Sequence, residues 1–435
     1  MSDRDTALTS TTALKAISEQ SVDPWLLVRR GRESAGSAQD ESLLALANGT
    51  LGVRGGIEEA LSPTQGCFLA GVWERTEIEY HERFSGFAKS TETRVPVADG
   101  TRIQLSLGET PVRLEQGEWL DFARVLDLRH GCLRRSLRWR APSGITLDIQ
   151  AERIVALETP GLLAIRYRVR SIDYTGPLIL ESAMDTSRDA MEQGADPRIG
   201  TRVNGGLQTQ DAVAEESLAW IRQRTTHSGI RVVCGQRHVL PADGLRFRDA
   251  ALKAHGVSQT YVGQLSPGAE VILEKYVAYA WSQPGGSELN TVLLANVDAT
   301  LQQAISAGYD GLAQQQTRTL ERFWRDADLA IVGDTSTELA LRLNLFHVYQ
   351  STSRDSSGSV AAKGLTGEGY EGHYFWDAEA FMLPTMVGVA PELARGMLEY
   401  RYRTLGRARL HAREMDHPRG ALYPWRTISG DECSA

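Results

Sequence analysis

The spacing of apolar and polar residues divides the chain into two kinds of segment. Between residues 23 and 285 the dominant period is two. The clearest case places Leu163, Ile165, Tyr167 and Val169 in alternation with arginines, and the same alternation recurs over residues 103–107, 137–141 and 145–149. One apolar and one charged face are typical of a half-buried antiparallel strand. Many such strands predict an N-terminal antiparallel β-sandwich domain over residues 23–285.

From residue 286 onward the apolar residues follow a helical period. They fall at Leu301, Ile305, Leu312, Leu320, Phe323 and Trp324. This spacing predicts a helical linker over residues 286–334. The preceding residues 1–22 are rich in Ser, Thr and Ala with weak periodicity, and are predicted to be a mobile leader.

Residues 335–435 are predicted to form helices punctuated by loops. Thr335 and Glu338 have the spacing of a capping box. Pro391 is well placed for the first turn of another helix, with Leu393, Ala394, Met397 and Leu398 inside it.

Charge and cysteine content exclude several classes of function. The formal net charge is −8, which argues against a nucleic-acid partner held by phosphate contacts. A basic set of six arginines is interpreted as the solvated side of strands: Arg124, Arg129, Arg134, Arg135, Arg138 and Arg140. None of the four cysteines has metal-ligand spacing, so no metal is expected. No apolar run indicates a signal peptide or a membrane span, and we expect a cytoplasmic protein without a membrane partner.

The richest chemistry lies in residues 364–377, where glycines precede Tyr374, Phe375, Trp376 and Asp377. An aromatic face beside a carboxylate suits a sugar, which has apolar C–H faces and a rim of hydroxyls. The pattern argues against a nucleotide-phosphate loop, because the glycines lead into aromatic residues and no Gly-Lys-Ser/Thr follows. The residues alone leave open a plain connector, with Trp376 packed in the core and Asp377 capping the next helix.

Two further stretches combine the same residue types. Residues 423–432 again combine aromatic residues, glycine and two acids. We expect this loop and residues 364–377 to lie together at the same opening of a helical barrel. The alternative is that residues 423–432 form a plain surface turn. Residues 48–59 are interpreted as structural turns in which Arg54 pairs with the neighbouring acids. His373 lies in the first loop, whereas His347 is predicted to be buried and hydrogen-bonded on a helix.

Taken in order, several stretches resemble glycoside hydrolase family 65, which includes the maltose, kojibiose, nigerose and trehalose phosphorylases. The resemblance lies in residues 41–59, the Leu-Asp-Leu of 126–128, Gly-His-x-Phe-Trp-Asp-x-Glu within 364–384, and residues 400–405 and 420–425. It covers nearly all of residues 25–435. It implies a β-sandwich, a helical linker and an (α/α)6 barrel in that order.

The resemblance also implies a function. Trp376 and Asp377 would bind the glucose in the −1 subsite, with His373, Phe375 and Trp425 as further candidates. The implied reaction is inverting phosphorolysis of an α-linked glucose disaccharide to β-glucose 1-phosphate plus glucose. Inorganic phosphate would be the co-substrate, no metal or organic cofactor would be needed, and a homodimer is the assembly that the resemblance suggests for the full-length protein. An inverting α-glucoside hydrolase and a non-catalytic carbohydrate-binding protein remain as alternatives.

In the family, the general-acid Glu and the phosphate-binding loops lie further along the chain, which places them beyond Ala435. Residues 335–435 can supply about four or five of the twelve helices of an (α/α)6 barrel. We therefore expect an incomplete barrel with exposed apolar faces, and a chain that is inactive alone. Asp377 with Glu379, or Asp431 with Glu432, would not replace the missing acid, because residues one or two apart do not share a helical face.

Overall fold

The computed structural model describes residues 23–59, 66–82, 85–187, 206–284, 286, 290–367 and 369–434. The predicted leader of residues 1–22 lies outside them. The predicted order of a large antiparallel β domain followed by helices is confirmed.

The largest sheet has nine antiparallel strands in the order β1-β8-β9-β10-β11-β18-β15-β14-β13. Their bounds are β1 Leu26–Arg30, β8 Glu118–Asp127, β9 Cys132–Arg140, β10 Thr146–Val155, β11 Leu162–Ser171, β13 Leu207–Ala214, β14 Ala219–Thr225, β15 Arg231–Val239 and β18 Glu270–Trp281. The alternation read from the sequence matches the register, since Ile165, Tyr167 and Val169 of β11 are fully buried. Strand β11 lies between β10 and β18, with Tyr167 opposite Ala151 and Leu273.

Two smaller sheets complete the domain. A five-stranded sheet has the order β16-β17-β12-β6-β7, and a four-stranded sheet the order β2-β3-β4-β5. Their bounds are β2 Leu46–Ala47, β3 Leu51–Val53, β4 Cys67–Glu77, β5 Ser90–Pro96, β6 Ile103–Leu107, β7 Thr110–Pro111, β12 Gly176–Asp185, β16 Leu245–Lys253 and β17 Gly256–Leu265. Side chains from all three sheets join one apolar core. Short helices α1 (Arg32–Ala35) and α2 (Ala38–Leu43) and a 3-10 turn (Leu114–Gln116) lie between strands.

The helical part begins with α3 (Asn290–Ala327), which is interrupted at Gly308, where φ is +67°. It continues with α4 (Thr335–Ser351), α5 (Leu383–Val389) and α6 (Pro391–Glu414). Between α4 and α5 lie a 3-10 turn (Tyr370–Gly372), the two-residue strand β19 (Tyr374–Phe375) and a π-helical turn (Ala378–Met382); strand β20 (Arg426–Thr427) follows α6. Within the described residues, no helix is both long and apolar enough to cross a bilayer.

One detail of the helix predictions needs correction. Asp334, not Thr335, caps α4: its side chain accepts from the Thr337 backbone N–H at 2.9 Å. The carboxylate lies one residue earlier than the predicted cap and is an equally good acceptor for the free N–H groups of the first turn. Helix α6 begins at Pro391 and contains Leu393, Ala394, Met397 and Leu398, as predicted.

Large apolar side chains are exposed on the helical part, as expected for an incomplete barrel. Phe381 is 74% and Tyr402 76% exposed, and Val387, Leu398 and Leu410 are also exposed. These residues lie on the π-helical turn, α5 and α6.

The predicted solvated arginines are only partly solvated. Arg140 is exposed and Arg138 is half-buried, but Arg124 and Arg135 are buried. Arg135 pairs with Glu59 at 2.7 Å, and Arg124 donates to the backbone carbonyl of Gly55 at 2.5 Å. Both arginines therefore support residues 48–59 rather than face water.

Residues 48–59 have the predicted structural role, with a different pairing. Arg54 pairs with Glu41 at 3.4 Å, while Glu58 accepts from Arg153 at 2.6 Å. The turn also contacts the helical part, because the Gly49 backbone N–H donates to the Gln350 backbone carbonyl at the end of α4. Residues 48–59 thus connect the β domain to α4.

Candidate functional site

The two loops rich in glycine, aromatics and acids come together, as expected. Strands β19 and β20 pair antiparallel, with Tyr374 opposite Thr427 and Phe375 opposite Arg426. The Tyr400 hydroxyl of α6 supports this junction by donating to the Ile428 carbonyl at 2.9 Å. Residues about 50 apart in sequence therefore form one surface.

Two tryptophans form the exposed aromatic part of this surface. The rings of Trp376 and Trp425 meet edge to face with centroids 5.7 Å apart, and they are 48% and 50% exposed. Phe375 lies behind them, half-buried, with its ring 6.3 Å from that of Trp425. The alternative of a core-packed Trp376 is wrong, since both indoles offer apolar faces to solvent.

Asp377 follows Trp376 directly and is half-buried. It precedes the π-helical turn, but its side chain makes no capping hydrogen bond, so the capping interpretation is wrong. Its Oδ2 atom is buried and has no hydrogen-bond partner. A buried carboxylate oxygen without a donor is costly, and a ligand hydroxyl at this point would remove that cost.

His373 lies in the same loop but faces the β domain. Its side chain is fully buried, and Nε2 is hydrogen-bonded to the backbone carbonyl of Glu92 in β5. Burial lowers the pKa of His373 to about 3, so the ring is neutral at ordinary pH and donates from Nε2. His347 is half-buried and bonded to the Leu43 carbonyl, so its predicted hydrogen bonding is confirmed.

The other carboxylates near the two loops are held by protein groups. Glu379 accepts from Arg401 Nη2 at 2.6 Å and from the Ser359 hydroxyl at 3.1 Å. Asp431 pairs with Arg407 at 2.5 Å, and Glu432 accepts from the Trp425 backbone N–H at 2.7 Å. These acids organise the loops, which agrees with their exclusion as a catalytic pair.

Sequence reasoning missed the support beneath the loops. Glu92 and Arg94 of β5 are buried and bond to backbone groups of both loops. The signal was weak, because a Glu and an Arg two apart in a strand ordinarily indicate its solvent face. Their burial is decided by the loops that fold over them.

The surface suits a neutral, hydroxyl-rich ring. Trp376 and Trp425 offer apolar faces, and Asp377 offers an unpaired acceptor. Over the described part of the chain, no three His, Cys, Asp or Glu side chains gather in a way that could hold a metal ion. The arrangement can bind and orient a sugar.

Comparisons with known proteins agree with this architecture. The model of the glycosyl hydrolase family 65 N-terminal domain matches residues 27–323, and that of the family's central catalytic domain matches residues 342–435. Alpha,alpha-trehalose phosphorylase of Thermoanaerobacter brockii is 36% identical over 403 residues, which are 91% of this chain and 52% of that protein. Kojibiose phosphorylase of Halothermothrix orenii is 29% identical over 412 residues, 90% of this chain and 49% of that protein.

A solved structure supports the fold independently. It is described as "Putative kojibiose phosphorylase from human microbiome", and it superposes with a TM-score of 0.83 at 23% identity over 95% of this chain and 53% of its own. The present chain spans about half the length of the curated relatives it matches. Because the family models together cover most of the chain, it belongs to glycosyl hydrolase family 65.

Proposed function

We propose that this chain binds the glucose unit of an α-linked glucose disaccharide on the surface formed by Trp376, Asp377 and Trp425. The observation that carries the proposal is the buried Oδ2 of Asp377, which has no protein donor and lies next in sequence to an exposed indole. A sugar hydroxyl would supply the missing donor. The C–H face of the ring would cover one of the indoles.

Phe375 and His373 have supporting roles in this proposal. Phe375 packs behind Trp425 and fixes the direction of its ring. His373 is fully buried and donates to β5, so it acts on the sugar only by holding the loop that carries Trp376.

We further propose that the whole protein is a disaccharide phosphorylase. Inverting cleavage of a glycoside needs a general acid for the leaving oxygen and a nucleophile on the opposite face of the ring. Phosphate is already an anionic nucleophile, so no protein base is required, and an α-glucoside yields β-glucose 1-phosphate plus glucose. No metal or organic cofactor takes part. The described loops supply the glucose-binding half of such a site.

The identity to a trehalose phosphorylase, 36%, exceeds that to a kojibiose phosphorylase, 29%, and this supports trehalose as the first disaccharide to test. In the proposal, an acidic residue outside the two described loops protonates the leaving glucose. We assign this role to none of Glu379, Asp431 and Glu432, because their arginine or backbone donors favour the ionised form of each carboxylate.

Two measurements test the proposal. Binding of trehalose, kojibiose, nigerose and maltose to the 435-residue chain is followed by tryptophan fluorescence, with Asp377→Asn as the matched variant. If Asp377→Asn binds these sugars as tightly as the wild type, the sugar binds elsewhere. That result would favour the alternative of a carbohydrate-binding β domain. Turnover is then assayed with and without phosphate. We expect this chain alone to be inactive and the full-length protein to require phosphate; equal release of glucose without phosphate would indicate a hydrolase.

A further inference from the structure

Strand β5 of the β domain lies directly beneath both loops of the candidate site. It pairs with β4 along one edge, and residues 91–96 are all buried. Its two charged side chains, Glu92 and Arg94, are 1% and 6% exposed. Charged groups this deeply buried need partners, and here the hydrogen-bond partners come from the helical part of the chain, while Arg75 of β4 lies 3.5 Å from the Glu92 carboxylate.

Glu92 contacts both loops at once. Its carboxylate accepts from the Ile428 N–H at 3.0 Å, the Ser429 N–H at 2.8 Å and the Ser429 hydroxyl at 2.5 Å. Its backbone carbonyl is bonded to Nε2 of His373, three residues before Trp376. One residue of the β domain therefore holds the loop after Trp425 and the loop before Trp376.

Arg94 holds the start and the end of the glycine-rich segment. Its Nη1 donates to the carbonyls of Gly364 and Leu365 at 2.9 and 2.7 Å, and its Nη2 donates to that of Gly372 at 2.8 Å. Burial lowers the pKa of Arg94. Gly372 has φ +78°, and a Cβ there would lie 2.7 Å from Arg94 Nε. The loop conformation and the guanidinium position are thus mutually dependent.

We propose that Glu92 and Arg94 are positioning residues that set the separation and tilt of Trp376, Asp377 and Trp425. The inference rests on the proposed sugar-binding function of those three residues. A shift of either loop would remove the hydrogen bonds of a buried charge, leaving Glu92 only its ion pair with Arg75 at 3.5 Å, and this is far costlier than moving a solvated loop. The β domain therefore contributes to sugar affinity through two side chains that are themselves buried.

Two buried residues of the β domain serve as matched controls. Glu74 is fully buried and also accepts from three backbone N–H groups, those of Thr226, His227 and Ser228. Arg124 is buried and also donates to backbone carbonyls, those of Gly55 and Ser34. Substituting them disturbs buried charges of the same kind without touching the two loops.

The experiment compares Glu92→Gln and Arg94→Lys with Glu74→Gln and Arg124→Lys in the 435-residue chain. Hydrogen exchange is measured for peptides covering residues 364–377 and 423–433, and trehalose and glucose affinity is measured by tryptophan fluorescence. We expect amide exchange to become about tenfold faster in both loops for Glu92→Gln, and in residues 364–377 for Arg94→Lys, whose bonds all go to that loop. We expect their sugar affinity to fall about tenfold, because displaced ligating groups lose most of their binding energy. The two control variants should retain wild-type loop exchange and affinity.

Unchanged loop exchange in Glu92→Gln and Arg94→Lys would overturn the positioning role, whether or not the wild type binds sugar. Faster exchange with unaltered affinity would overturn it as well. Failure of the wild type to bind any of the sugars would instead refute the proposed function, and the exchange result would still decide whether β5 holds the loops. If Glu92→Gln does not fold, Ser429→Ala removes one hydrogen bond to Glu92 and leaves the other two, and faster exchange confined to residues 423–433 is then the expected result.

Discussion

Substitution of Asp377 by Asn separates ligand binding from folding. Asp377 Oδ2 has no hydrogen-bond partner in the protein, so the substitution removes no internal bond. We expect the free energy of unfolding to stay within about 0.5 kcal/mol of the wild type or to rise, because the substitution removes a charge whose buried oxygen has no donor. The substitution should instead weaken sugar binding, because a hydrogen bond to a charged group contributes about 1.5–3 kcal/mol to the binding free energy.

That energy corresponds to an affinity loss of about 10- to 150-fold, with the lower end expected because the Asn amide still offers one acceptor oxygen. The assay is titration of the 435-residue chain with trehalose and glucose, followed by the fluorescence of Trp376 and Trp425, with urea unfolding of the same preparations. A folded Asp377→Asn protein that binds either sugar within twofold of the wild type would refute the reasoning. Marked loss of stability would show instead that the carboxylate serves the fold.

Three further predictions follow from single contacts. Gly49 has φ +79°, and a Cβ there would lie 2.1 Å from the Thr352 carbonyl oxygen. Gly49→Ala should therefore lower the free energy of unfolding by about 3 kcal/mol. The control is Gly268→Ala, at φ +84° with no atom near its Cβ, which should lower it by only the backbone strain of about 1–2 kcal/mol. Equal losses in urea titrations would contradict this. His373 has a folded pKa of about 3 against 6.5, so the unfolded chain alone takes up its proton as the pH falls through 6.5. The contribution of His373 to the free energy of unfolding is complete above pH 6.5 and decreases by about 2 kcal/mol by pH 5. The His373→Gln variant should lack that decrease. If the stabilities of variant and wild type changed in parallel with pH, a buried neutral ring would be refuted. Trp425→Ala should weaken sugar binding about threefold to tenfold with little change in stability, because the ring is 50% exposed; Trp220→Ala in β14 is the control, and equal affinity losses in both would refute a local role.

Much of the fold could be predicted from short-range pattern. The alternation over β11 predicts which side chains are buried, because neighbouring residues of a strand point to opposite faces. Pro391 predicts the first turn of α6, since proline needs no hydrogen-bond donor there. These rules act over a few residues and do not depend on what the element packs against.

Charged residues mark the limit of such rules. Arg124, Arg135, Glu92 and Arg94 occupy strand positions that ordinarily face water, yet all four are buried. Each is covered by a distant segment: residues 48–59 cover the first two, and the loops at 364–377 and 423–433 cover the others. A local pattern contains no information about which segment will cover a strand face.

For the candidate site, too, some properties follow from the local sequence and others only from the fold. The sequence by itself determined its chemistry, because Trp376, Asp377 and Trp425 are residue types suited to a sugar and they lie in loops that glycine makes compact. Only the tertiary structure decided that both indoles are exposed, that Asp377 Oδ2 lacks a donor and that His373 faces β5. The physical reason is that side-chain exposure and hydrogen bonding are set by contacts between the β domain and loops some 270 to 340 residues further along the chain, as in the bonds from Arg94 to Gly364 and from Ser429 to Glu92.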